Sequence, residues 1–209
     1  SIDPNRPMIA LTFDDGPHAP VTNRILDSLE ANGGRATFFM VGNRVTGKAN
    51  KEAVARMAAL GCEVANHTYE HKAITKLGAE GIKSQLARAN DSIRLAGGVS
   101  PVLMRPPGGA KSDAAMKTVG SMGMSAVLWS IDTLDWKTKN KQKTIDAVIG
   151  HVKDGDIVLM HDLYGTTADA AEVIIPKLKE MGFQLVTVSE LASYRGGIQP
   201  GKVYSRFRP

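Results

Sequence analysis

Short apolar, β-branched or aromatic runs alternate with longer stretches of helical period along the chain. The runs Met8–Phe13, Ala36–Val41, Glu63–Asn66, Val102–Arg105, Ser125–Ser130, Asp156–His161 and Gln184–Val188 read as strands. Several, such as "TFFMV" and "DIVLM", are apolar without a break, as expected of strands covered on both faces. Between them, Ala19–Ala31, Lys48–Leu60, Ala79–Ala96, Ser112–Met122, Lys143–Lys153 and Ala168–Met181 read as helices. "LEANGG", "AALGC", "SMGM" and "EMGF" each place a glycine just past a helix, a C-cap signature. Alternation of strand and helix predicts a parallel sheet with helical crossovers. Seven strands suit either a barrel or an open doubly wound sheet. No linker, charge block or long repeat divides residues 1–209, so one domain is expected, with the polar Gly/Pro-rich tail Arg195–Pro209 draped over its surface.

Composition narrows the class. Apolar residues make up 43% and charged residues 22% of the 209, ordinary for a globular protein. No stretch approaches the roughly 18 apolar residues of a membrane span, so stable membrane insertion is not expected. The chain begins at Ser1 with no leader-type segment, as a mature form or an excised domain would. One cysteine, Cys62, excludes an internal disulfide framework. A net charge of +5 leans mildly toward anionic partners and is too small for a nucleic-acid footprint.

In parallel α/β folds reactive groups collect at the carboxyl ends of strands. Asp14 and Asp15 follow strand one, "NHTYEH" strand three, "RPPGG" strand four and "DTLDW" strand five, and His161 ends strand six. Two adjacent carboxylates at the end of a buried strand repel unless something positive holds them. His67 and His71 are four apart, a spacing that on a helical turn brings both rings to one face. Two imidazoles and a carboxylate form a usual ligand set for a catalytic Zn²⁺, and also the triad of non-haem Fe(II) oxygenases. Those oxygenases use β-rich scaffolds, which the alternation here disfavours.

"TFDDGP", "HTYEH", "RPP", "DTLDW" and "LMH" occur in that order between Ile9 and Val188. Together they resemble the five motifs of the polysaccharide deacetylases, the NodB-homology domains of carbohydrate esterase family 4. The resemblance implies an irregular (β/α) barrel of about seven strands and a hydrolase that removes acetyl groups from peptidoglycan, chitin-like chains or xylan with one divalent metal. Zn²⁺ is the expected ion, with Co²⁺ or another divalent ion as alternatives. It implies that Asp15, His67 and His71 bind the metal and that Asp14 is the general base for the attacking water. Arg105 would orient Asp14. His161 would be the general acid, its imidazole held by Asp135. Trp136 and Leu159 match positions that wall the acetyl-methyl pocket, and Leu159 suits core packing equally. Asp132 matches the fourth motif without an assignable step, and Trp129 reads as core.

Most members of the family it resembles have an aromatic after the third-motif prolines, where this chain has Gly108. By resemblance, the amide there stabilises the oxyanion, and loss of the ring predicts a more open groove. Lys137, Lys139, Lys141 and Lys143 read as a solvated loop or a basic rim for an anionic polymer. The resemblance favours N-deacetylation of N-acetylglucosamine units in peptidoglycan or chitin-like chains, with O-deacetylation of xylan as the sibling alternative. A non-catalytic carbohydrate-binding barrel ranks lower, because every matched ionisable position is filled. An extracellular or cell-wall location follows from the family.

Overall fold

The computed structural model describes residues 1–209. In chain order its elements are β1 (Met8–Asp14), α1 (Ala19–Ala31), β2 (Thr37–Met40), α2 (Lys48–Ala59), β3 (Glu63–Asn66), α3 (Ala79–Gly97), β4 (Leu103–Met104) and α4 (Asp113–Ser121). There follow β5 (Ser125–Val127), β6 (Ile131–Asp132), α5 (Asp135–Thr138), α6 (Lys141–Val148), β7 (Ile157–His161), α7 (Gly165–Glu180), β8 (Gln184–Leu185), α8 (Val188–Ser193) and β9 (Val203–Tyr204). The main sheet runs β6-β7-β1-β2-β3-β4-β5-β9, all parallel, and curls into a partly closed barrel; short β8 pairs with the start of β1. This is the expected barrel, not the doubly wound alternative.

Side-chain alternation decides which residues reach the barrel interior. Along β1, Ile9, Leu11 and Phe13 face the helices and join the large outer core with Phe38 and Met40 of β2 and Val158 and Met160 of β7. Met8 and Ala10 point inward, with Phe39, Ala65, Leu103, Val127 and Ile157. Continued by one or two steps, the inward phase arrives at Thr12 and Asp14 on β1, at Arg105 just past β4 and at His161 on β7. Register completes the alignment, since Asp14 pairs with Phe39 on one side and with His161 on the other. The same parity that builds the core therefore delivers ionisable groups to one mouth of the barrel.

Three details differ from expectation. The Ser125–Ser130 run breaks after Val127, and the chain crosses to the opposite edge of the sheet to form β6 beside β7. The final run shortens to Gln184–Leu185 because Thr187 and Glu190 form a capping box that starts α8. α6 begins at Lys141 instead of Lys143, capped by the Asn140 side chain, which accepts from Lys143 N at 2.9 Å. The four glycines read as C-caps, Gly33, Gly61, Gly123 and Gly182, all have positive φ. No helix is long and apolar enough to cross a membrane.

The tail does not merely drape. β9 adds to the free edge of β5, and Phe207 is 5% exposed, its ring stacked on Tyr204 at 5.2 Å. An exposed edge strand has unpaired backbone groups, and the tail supplies partners for them. Phe207→Ala is therefore expected to destabilise the fold by about 3 kcal/mol, read as a shift in denaturant midpoint. A shift smaller than about 0.5 kcal/mol would mean that the tail is a surface ornament.

Candidate active site

The corner that gathers Asp15, His67 and His71 is built on strained backbone. Asp15, Thr68 and His71 all have positive φ, at 79°, 66° and 57°. Non-glycine residues in this region cost on the order of 1–3 kcal/mol each and persist only where surrounding structure imposes them. The His67–His71 segment is a loop, not the helical turn that its spacing suggests; the left-handed residues bring the rings together, centroids 4.9 Å apart. Asp15 Oδ1 lies 3.3 Å from His67 Nε2 and 3.2 Å from His71 Nε2. It is buried yet has no hydrogen-bond partner.

A divalent ion fits this geometry. Ligands about 2.1 Å from a tetrahedral Zn²⁺ lie about 3.4 Å from one another, close to the spacings seen here. His67 Nδ1 is 2.6 Å from the carbonyl oxygen of Arg105. A carbonyl only accepts, so the proton is on Nδ1 and the Nε2 lone pair faces Asp15.

Asp14, 3% exposed, points into the barrel beside this cluster. Arg105 is fully buried and donates to Asp14 Oδ1 at 2.8 Å and to Thr12 Oγ1 at 2.7 Å. Its other nitrogens donate to the carbonyls of Val127 (3.0 Å) and Leu128 (2.7 Å), and the guanidinium lies 4.2 Å above the Phe39 ring. Burial pulls its pKa down, and the Asp14 charge opposes that.

Across the mouth, His161 Nδ1 meets Asp135 Oδ1 at 2.8 Å, leaving Nε2 turned toward Asp15 Oδ2 at 4.0 Å. Asp135 is itself fixed, accepting from His161 N and Thr167 Oγ1, both at 2.8 Å. Burial works against the imidazolium, but Asp135 and the charges of Asp14 and Asp15 prevail and raise the His161 pKa to about 9. A cation on Asp15 would cancel part of that field.

These groups open into a cavity of about 360 Å³, also bordered by Gly108, Trp136, Leu159, Trp129, Asp132 and Tyr164. Leu159 is buried, and Trp136 is half exposed at the rim. Trp129, expected in the core, packs against the inner core and also borders the cavity, two residues past the end of β5. Gly108 sits at φ 67° with open space where a side chain would project, so the rim is wide there and the backbone favours glycine. Asp132 is exposed and accepts from Leu134 N at 3.0 Å, which shapes the turn into α5. Tyr164 and Thr167 lie outside the quoted motifs and carried no sequence signal, whereas Thr12 opens the first motif without a role being read from it. The lysines from Lys137 to Lys143 are exposed, and of these Lys139 places Nζ 5.2 Å over the Tyr164 ring.

A barrel whose inward phase ends in an acid pair, two imidazoles and an Asp-held histidine has the form of a metal-assisted hydrolase. A family model described as polysaccharide deacetylase matches residues 1–127. The chain belongs to the polysaccharide deacetylase family. It is 44% identical to the peptidoglycan-N-acetylmuramic acid deacetylase PdaC of Bacillus subtilis, over 91% of this chain and 40% of that protein. The solved PdaC structure gives a TM-score of 0.85, covering 92% of this chain and 93% of that one. Identity is 37% to the peptidoglycan-N-acetylglucosamine deacetylase PgdA of Listeria monocytogenes, over 94% of this chain and 41% of that protein. A family 4 acetyl xylan esterase from Clostridium thermocellum, solved with a cobalt ion, gives a TM-score of 0.87 at 32% identity, covering 95% and 98%. The chain thus spans about two fifths of the length of PdaC and PgdA.

Replacing Arg105 by Ala would leave the buried Asp14 charge and two carbonyls without partners. Loss of one member of such a pair costs about 3–5 kcal/mol. Arg105→Ala is expected to lower the unfolding free energy by that amount, measured by chemical denaturation. A loss near zero would show that Asp14 is solvated.

Proposed function

We propose that this chain is a metal-dependent deacetylase that hydrolyses the acetamide of N-acetylated sugars in peptidoglycan or chitin-like chains. The observation that carries the reading is the buried, unpartnered Asp15 Oδ1 held between two imidazole nitrogens, with a second carboxylate and a histidine facing it. The names of PdaC and PgdA favour an N-acetyl substrate in peptidoglycan. The acetyl xylan esterase keeps O-deacetylation as the second reading. A wall polymer as substrate places the protein at the cell wall or outside the cell.

Asp15, His67 and His71 would hold the ion, with Zn²⁺ preferred by their N₂O set and Co²⁺ acceptable to it. When bound, that cation polarises the acetyl carbonyl and acidifies water. The remaining roles belong to protein groups. Asp14, oriented by Arg105, takes a proton from the attacking water. The Gly108 amide borders the cavity where the developing oxyanion needs a donor. His161, its Nδ1 proton engaged by Asp135, presents Nε2 to give a proton to the departing amine. Leu159 and Trp136 bound the space for the acetyl methyl. The direct test is acetate release from chitooligosaccharides, peptidoglycan glycan and acetylated xylan, before and after metal depletion and re-addition. Release from xylan alone would select the second reading, and release from none would overturn both.

The division of labour between neighbouring carboxylates gives a sharp expectation. Asp14→Asn should retain stoichiometric metal binding and lose about 10²–10⁴ in kcat. Asp15→Asn and His67→Ala should lose metal itself, read by elemental analysis after dialysis. Parallel behaviour of the Asp14 and Asp15 variants would refute the assignment.

The alkaline limb of the pH–rate profile should report His161, which must carry a proton to act as acid. Asp135→Asn removes the group that raises its pKa, so the limb should move to lower pH, by about one unit for each 1.4 kcal/mol of lost interaction. An unmoved limb would take His161 out of the acid role.

A further inference from the structure

Beside the metal-binding corner lies a second hollow of about 260 Å³, lined by Asp15, Val41, Asn43, Arg44, Glu70 and His71. It shares Asp15 and His71 with the main cavity, so a group seated there abuts the reacting acetamide. Arg44 is placed in it by the tight turn Gly42–Arg44 that follows β2. That turn is bonded to the ligand loop, with Gly42 N donating to Thr68 O and Asn43 N to Tyr69 O, both at 3.0 Å. Gly42 leaves no room to shift, since an added Cβ would lie 2.8 Å from the Ala89 backbone. The Arg44 backbone is thus fixed relative to His67 and His71, although its side chain is exposed.

The charges in this region are unevenly satisfied. Glu70 is engaged by Gln85 at 2.8 Å, Arg88 at 3.5 Å and Lys72 at 3.6 Å. Arg44 has no carboxylate within 4.0 Å, and neither does Lys139. Lys139 lies over the face of Tyr164, which borders the main cavity. Two cations without a carboxylate partner therefore stand near the site, Arg44 in the hollow and Lys139 over Tyr164. A guanidinium fork suits a carboxylate.

Resting on the deacetylase reading, we infer that the Arg44 hollow binds the carboxylate of a lactyl ether on the sugar being deacetylated, so that the chain prefers peptide-free N-acetylmuramic acid residues. The connectivity of the sugar supports it. The acetamide is on C2 and the lactyl ether on the adjacent C3, so a residue with its acetyl group at the ligand cluster must place its carboxylate a few bonds away, in reach of the adjoining hollow. Lys139 adds a second charge on the Tyr164 side. A neutral N-acetylglucosamine residue leaves Arg44 solvated and unhindered, so selectivity arises from added affinity and chitin-like chains remain substrates.

The test compares three tetrasaccharides: a peptide-free glycan alternating N-acetylglucosamine and N-acetylmuramic acid, the same glycan with its carboxylates converted to amides, and chitotetraose. Dissociation constants are measured by calorimetry on the metal-free chain, and initial rates on the metal-loaded chain. The acid glycan should bind about 10-fold tighter than its amide, the worth of an exposed charge-assisted hydrogen bond, and the preference should shrink with salt. Arg44→Gln should abolish that preference and leave kcat and KM for chitotetraose unchanged. Arg44→Lys should retain part of it, and Lys139→Gln should reduce it. Equal binding of acid and amide by the wild-type chain would overturn the inference, as would an equal loss on all three ligands in Arg44→Gln. Failure of the deacetylase reading looks different, with no acetate from any glycan, and the binding comparison does not depend on it.

Discussion

One buried cation constrains the rest of the site. Removing a guanidinium from water costs several kcal/mol unless its donors are met, and Arg105 meets that demand from four directions. Two of its partners, the carbonyls of Val127 and Leu128, exist because β5 stops short and the chain leaves for the far edge of the sheet. A third, Thr12, passes the bond on to Val158 O at 2.6 Å. The fourth is Asp14. The Arg105 side chain thus closes the gap in the barrel and fixes the carboxylate, while its own carbonyl orients His67. Polar groups on three strands answer to one residue, so the acid pair cannot relax without disturbing the barrel.

The adjacency of Asp14 and Asp15 becomes intelligible in these terms. β-strand alternation would send neighbouring side chains to opposite faces. A left-handed residue at Asp15 breaks the alternation and turns the second carboxylate toward the same mouth as the first. Each then faces its own partner, the Arg105 guanidinium for Asp14 and, for Asp15, the His67 and His71 nitrogens with which it could hold a cation. Repulsion between them is met by separate partners. That separation underlies the proposed split between a base and a ligand.

Much of this was legible in the sequence because the signals were local. Apolar runs marked the inner strands, and glycines past the helices marked their ends. The ordered motifs collected the groups that now share the cavity. What escaped was set by long-range geometry. Nothing in "SAVLWS" announces that pairing ends at Val127, since the break depends on where β6 and β9 find partners, and for that reason the sequence shows Trp129 as core but not as a border of the cavity. The tail reads as polar because, prolines aside, only Ile198, Val203, Tyr204 and Phe207 are apolar, yet an open sheet edge is enough to recruit it. His-x-x-x-His spacing was suggestive for the wrong local reason, because a loop with left-handed residues achieves what a helical turn would have done.

The same contrast separates the fixed parts of the site from the adjustable ones. Asp14, His67 and His161 hang on buried bonds to Arg105 and Asp135 that the fold itself requires. The surrounding wall does not. Gly108 is open, Trp136 and Lys139 stand on the short α5 and the segment after it, and Arg44 projects from a turn whose backbone is anchored while its side chain is free. Changing these residues alters which sugar substituents fit without unbuttoning Arg105. A barrel of this construction can keep one hydrolytic centre while its rim is retuned from neutral to anionic polymers, and on the proposed reading Arg44 is one such adjustment.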